Sequence, residues 1–122
     1  MIGRLQCVVV DCPEPRGLAE FYRGLLGGEV DRPGQPWELN DDWSTLHHPG
    51  GVLCFQRAHD HVAPEWPDPA KPQQFHLDIA VEDLDAGSAE VLRLGGVLLD
   101  DSETYWRVFA DPAGHPFCLV WE

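Results

Sequence analysis

The sequence predicts an α+β fold made of two copies of one strand–helix–strand–strand–strand (βαβββ) module. Three observations predict it. A strand-like segment, a helical period and three further strand-like segments occur in that order twice. Each helical period runs into a glycine pair, Gly27-Gly28 and Gly95-Gly96. A stretch with four prolines, residues 58–73, separates the two halves. One such module leaves a sheet face that a second can cover, so the halves are expected to pair in a single domain over residues 1–122. Module one is expected at about 1–57, the crossover at 58–73 and module two at about 74–122.

The elements follow in order. Ile2 to Val10 is dense in β-branched and apolar residues and reads as a strand. Pro13 and Pro15 break it and suit a turn followed by a helix start. From Arg16 to Leu26, Leu18, Phe21, Tyr22, Leu25 and Leu26 recur at helical spacing until Gly27-Gly28 stops the helix. Short strands are expected near Gly28–Val30, Trp37–Asn40, Trp43–His47 and Val52–Arg57, one more than the repeated module has. In the second half, Gln74–Val81 alternates. Phe75, Leu77, Ile79 and Val81 share one face, and His76, Asp78 and Ala80 share the other. A helix is expected from about Leu84 to Leu94, with Leu84, Val91, Leu92 and Leu94 as its apolar positions. Strands are expected at Val97–Leu99, Tyr105–Ala110 and His115–Trp121, the last preceded by the tight turn Asp111-Pro112-Ala113-Gly114.

Composition narrows the function classes. The chain has 122 residues, 43% apolar and 24% charged, which is ordinary for a globular protein. Eight basic against 21 acidic residues give a net charge of −13. That charge disfavours nucleic acid and anionic membrane surfaces and favours mild attraction for cations. No apolar run approaches the roughly 20 residues needed to span a bilayer. The four cysteines, Cys7, Cys12, Cys54 and Cys118, include no C-x-x-C pair, and three lie in apolar runs. Reduced thiols in a cytoplasmic protein are therefore expected.

Two motifs, Leu18-Ala19-Glu20-Phe21-Tyr22-Arg23-Gly24-Leu25-Leu26-Gly27-Gly28 and Asp111-Pro112-Ala113-Gly114-His115-Pro116-Phe117, join the duplication. With it they make the chain resemble the vicinal oxygen chelate superfamily over nearly its whole length. That superfamily includes glyoxalase I, extradiol dioxygenases, fosfomycin-modifying enzymes and bleomycin-binding proteins. The resemblance is greatest to small glyoxalase-like proteins. It implies two paired βαβββ modules forming a curled sheet cup with helices on the convex side, a ligand in the cup, and a homodimer. It also implies a divalent metal held at matching points of the modules, by an early first-strand residue, often His, and a late last-strand residue, often Glu. His76, seven before Asp83, matches the histidine. Seven before Asp11 stands Arg4, which as a guanidinium offers no lone pair to a metal. Seven after Asp111 stands Cys118, whose first-half counterpart is Cys54, with Gln56 two residues on. With one of four usual ligands in place, no cofactor is favoured. A divalent metal (Zn, Ni, Fe or Mn), if taken, would sit on His76, Cys118 and Cys54, a soft donor set.

His76 and Asp78, two apart on one strand face, can act as general base and partner or hydrogen-bond a polar ligand. The competing reading is a structural polar pair, or a network with Arg4 or Arg107. Trp37, Trp43 and Trp66 suit stacking on an organic ligand, whereas Trp121, in phase with Phe117 and Leu119, reads as core. Arg107 suits a carboxylate, from a ligand or a neighbouring acid. His115 reads as ordering its turn. His47 and His48 face opposite ways, His59 and His61 lie in a loop, and all four read as solvated or capping residues. The ligand-binding set is thus Trp37, Trp43, Phe55, Trp66, His76, Asp78, Arg107 and Cys118, with His76 and Asp78 as the catalytic candidates. The expected function is binding of a small organic molecule by sequestration or resistance-type capture, without the usual metal. The alternatives are a lyase or isomerase on a small oxygenated substrate, with His76 and Asp78 as acid and base, and a subunit serving assembly alone.

Overall fold

The computed structural model describes residues 1–33 and 40–122. The chain divides into two compact units, Met1–His61 and Val62–Glu122. The first holds β1 (Val8–Cys12), α1 (Pro15–Leu26), β2 (Glu29–Val30), β3 (Trp43–His48) and β4 (Gly51–Arg57). The second holds β5 (Leu77–Val81), α2 (Leu84–Arg93), β6 (Val97–Asp100), β7 (Trp106–Ala110) and β8 (Pro116–Trp121). Each unit is one four-stranded mixed sheet with one helix. The strand orders, β1-β4-β3-β2 and β5-β8-β7-β6, are the same path traced twice. In each unit the first strand runs parallel to the last, and the remaining pairs are antiparallel. The strand expected over Trp37–Asn40 lies outside the described residues apart from Asn40, which forms a single bridge with Trp43. Among the described residues no helix is long and apolar enough to cross a membrane.

Both first strands are shorter than the sequence predicts. β1 starts at Val8 rather than Ile2, and Met1, Ile2 and Leu5 stay exposed. β5 starts at Leu77 rather than Gln74, leaving Phe75 exposed instead of under a helix. The cause lies in the partners. Val8 pairs with Leu53, two residues into β4, and Leu77 pairs with Phe117, one residue into β8. Little ladder remains for residues that come earlier.

In the first unit the helical period of α1 buries Leu18, Ala19, Phe21 and Tyr22 against Val10, Cys12, Leu46, Leu53 and Phe55. Tyr22 stacks on Phe55 at 5.8 Å and meets Phe21 edge-on at 5.1 Å. Pro15 opens the helix, and the Gly27 amide closes it by donating to the Arg23 carbonyl at 2.9 Å. Gly28, at φ 97°, then lets the chain pass the backbone of β3. A Cβ there would fall 2.1 Å from the His47 carbonyl oxygen, so a side chain is excluded at this position.

The second unit packs Ile79, Phe109, Phe117 and Leu119 with Val91 of α2, and Phe109 stacks on Phe117 at 5.8 Å. Asp83 caps α2 by accepting from the amides of Asp85 and Ala86 at 2.9 and 3.0 Å. Gly87 brings the helix close to the sheet, because a Cβ at that position would lie 3.0 Å from Leu119. Arg107 ties helix to sheet. It donates to the Leu84 carbonyl, the Ser88 hydroxyl and the Asp85 carboxylate at 3.2, 2.8 and 2.6 Å. Two expected core residues are instead exposed. Leu92 of α2 points away from the sheet. Trp121 has the parity of Phe117 and Leu119 but stands at the end of β8, 54% exposed, stacked on Tyr105.

Two outcomes follow from this packing. Phe55→Ala removes a fully buried ring stacked on α1 and should cost about 3–5 kcal/mol by urea denaturation. Burial lowers the pKa of His47 and of His48, so the unfolded chain takes up these protons more readily than the folded one. Stability contributed by the neutral imidazoles is present above the ordinary value of 6.5 and declines as pH falls through it. The acid limb of a thermal-melt profile should therefore be shallower in His47→Gln than in the parent protein.

Candidate functional site

Alternation along the strands gives each sheet one face under its helix and one face away from it. In the second unit Leu77, Ile79, Phe117 and Leu119 have the helix-side parity. Asp78 and Cys118 are directly paired on the other side. His76 precedes β5 by one residue and shares the side of Asp78. Its Nε2 lies 3.4 Å from Asp78 Oδ1. Ligand atoms of His76, Asp78 and Cys118 all lie within 4.8 Å of one another. His76 and Asp78 are exposed and Cys118 is partly covered, so the three offer a nitrogen, an oxygen and a sulfur from an accessible face.

The electrostatics of the cluster suit hydrogen bonding to a polar ligand. Burial, then the Asp78 charge and its hydrogen bond, push the Cys118 thiol up to about 11. At neutral pH Cys118 is therefore a neutral S–H donor, and Asp78 accepts from it. The same three donors suit a borderline metal such as Zn²⁺, which would displace the thiol proton on binding.

The first unit repeats the register with different chemistry. Val9 pairs with Cys54 as Asp78 pairs with Cys118. Cys7 lies two residues before Val9, as His76 lies two before Asp78. Cys7, not Arg4, is thus the counterpart of His76. Counting seven back from Asp11 misplaces the match because Asp11 lies within β1 itself. The residue equivalent to Asp83 is Glu14, which directly precedes α1, and seven before Glu14 is Cys7. Pro15, as a helix opener, was the signal that would have found it. Cys54 is fully buried, and burial followed by the hydrogen bond with Cys7 pushes it up to about 12. None of the four cysteines is in a disulfide.

The other expected site residues lie elsewhere. Phe55 is fully buried in the helix-side core of the first unit. Arg107 is spent on Asp85, Ser88 and the Leu84 carbonyl, on the helix side of the second. Trp43 opens β3, partly buried and paired with Gln56 on the face shared with Cys54. Trp66 is partly buried in the segment before β5, and Trp37 falls outside the described residues. His48 accepts from the Gly50 amide at 3.1 Å and so caps its turn, whereas His47 is buried rather than solvated. His115 orders its turn as expected. Its Nδ1 lies 2.8 Å from Asp111 Oδ2, and Asp111 Oδ1 accepts from the Ala113 and His115 amides at 2.9 and 3.0 Å.

Residues 7–120 match the model of a family described as the glyoxalase-like domain. No curated protein matches the sequence. Solved structures of the same fold include a glyoxalase/bleomycin resistance protein/dioxygenase family enzyme from Burkholderia phytofirmans, at 14% identity and a TM-score of 0.75, with 98% of each chain covered. The fosfomycin resistance protein FosX from Mesorhizobium loti aligns at 12% identity and a TM-score of 0.71, over 98% of this chain and 92% of that one. A point variant of FosX from Listeria monocytogenes, complexed with Mn(II) and 1S,2S-dihydroxypropylphosphonic acid, aligns at 14% identity and 0.66, over 98% and 90%.

The thiol environment yields a direct check. Cys118, followed by peptide mapping, should alkylate slowly with iodoacetamide at neutral pH and faster toward pH 11. Asp78→Asn removes a carboxylate that holds the thiol protonated, so its Cys118 should react faster than the parent's at pH 9. An unchanged rate would mean that Asp78 does not act on the thiol.

Proposed function

This chain belongs to the glyoxalase-like domain family of the vicinal oxygen chelate superfamily, and on that footing we propose that it binds a small organic molecule on the open sheet face, anchored by His76, Asp78 and Cys118. The convergence of these three side chains within 4.8 Å, on the face turned away from α2, carries the reading. Trp66, in the same unit, supplies stacking surface in this proposal. Phe55 and Arg107 are left out of it because packing and helix attachment occupy them. A relative of the same fold holds a small phosphonate, which supports a ligand of that size. Capture without turnover is the favoured activity, in a cytoplasmic homodimer with reduced thiols.

The donor set favours a second reading, a lyase or isomerase acting on a small oxygenated substrate. His76 would take or return a substrate proton, and Asp78 would orient the imidazole and stabilise its protonated form. His76, Asp78 and Cys118 of the second unit would hold a divalent ion. Such an ion would supply Lewis-acid polarisation of a substrate oxygen.

Elemental mass spectrometry on tag-free protein, beside Cys118→Ser and a thermal-shift ligand screen, separates the readings. The binding reading expects folded protein without stoichiometric metal and ligands that raise the melting temperature. His76→Ala and Asp78→Ala should then weaken those ligands roughly tenfold or more. Near-stoichiometric zinc, nickel, iron or manganese that is lost in Cys118→Ser would transfer the function to the enzyme reading. Ligand affinity unchanged in both His76→Ala and Asp78→Ala would remove the cluster from the site.

A further inference from the structure

A concave surface in the Val62–Glu122 unit lies on the opposite side of the sheet from His76, Asp78 and Cys118. It is an open groove of about 440 Å³ lined by Glu82, Asp83, Asp85, Tyr105, Arg107 and Trp121, with Leu84 and Thr104 completing it. Tyr105 and Trp121 stack at 5.7 Å with their planes 22° apart, yet they remain 56% and 54% exposed. The Trp121 amide donates to the Tyr105 carbonyl at 2.8 Å, which fixes the two residues side by side. The groove is thus an aromatic platform beside an acidic wall.

Its charges select the ligand. Arg107, the one cation in the lining, is already committed to Asp85, Ser88 and the Leu84 carbonyl. Asp85 is neutralised by that pairing, whereas Glu82 has no ion-pair partner among the described residues. The N-terminus of α2 would attract an anion, but Asp83 already accepts from its amides and Asp85 stands in its first turn. An anion would therefore meet carboxylates where it needs donors. A cation can meet the open outer face of a ring of the stacked pair and unpaired carboxylate charge.

We propose that this groove binds a small organic ammonium ion, its charged head against the outer face of the Tyr105–Trp121 stack and beside Glu82 and Asp83. The site is separate from the one proposed above, since Tyr105, Arg107 and Trp121 lie on the helix side of the sheet.

Choline and its uncharged isostere 3,3-dimethyl-1-butanol, titrated into the full chain and followed by the Trp121 indole resonance in ¹H–¹⁵N spectra, test the proposal. Choline should produce a saturable shift that weakens with salt, and the isostere should bind at least about tenfold more weakly. Trp121→Ala and Tyr105→Ala, read through the remaining groove resonances, should each lose about tenfold in affinity. Trp121→Phe keeps a ring face and serves as the variant least disturbing to folding. It should retain binding within a few-fold, and Glu82→Gln should weaken choline without affecting the isostere. His76→Ala should leave the choline titration unchanged, which keeps this result independent of the open-face reading. Equal binding of choline and isostere would overturn the proposal. So would choline affinity that survives both aromatic-to-alanine changes, or that disappears with His76.

Discussion

Each unit depends on burying one face of a four-stranded sheet under a single helix. Strand side chains alternate, so the helix covers mainly apolar residues at every second position, and the intervening positions carry the side chains it does not cover. Tyr22 on Phe55 in the first unit, and Val91 with Phe109, Phe117 and Leu119 in the second, are the contacts that set this division. α2 approaches its sheet closely because Gly87 stands where a side chain would crowd Leu119, and Gly28 after α1 lets the chain pass the His47 carbonyl of β3. Once that face is filled, Asp78 and Cys118 have nowhere to point except away from the helix.

The repetition of register turns this constraint into chemistry. Val9–Cys54 and Asp78–Cys118 occupy the same rungs of the two sheets, and Cys7 and His76 stand at the same offset before them. The two copies differ at these rungs, with thiol, valine and thiol in the first and imidazole, carboxylate and thiol in the second. Burial holds both last-strand cysteines protonated, Cys54 further than Cys118. The second unit adds a carboxylate and an imidazole at an accessible surface, which is why the functional reading rests on that unit.

Arg107 and Trp121 show how much the end of a strand matters. Both have helix-side parity. Arg107 reaches the first turns of α2 and is consumed in fastening it. Trp121, at the last position of β8, extends beyond that packing and pairs with Tyr105 in the open. Position along the strand, rather than hydrophobicity, separates a core aromatic from a surface one here.

The duplication, both helices with their glycine stops, the alternation that puts His76 and Asp78 on one face, and the role of His115 were all legible in the sequence, because each is a local regularity of spacing. The equivalence of Cys7 with His76 was not, because it depends on where α1 begins relative to β1 and on the pairing of β1 with β4. Nor was the exposure of Phe75, since strand length is set by the partner strand rather than by a segment's own propensity, nor that of Trp121, which stands at the end of β8. Composition and periodicity determined which elements form. Long-range pairing between the first and last strands of each unit decided which side chains meet, since that pairing joins residues about 40 positions apart, beyond any local pattern.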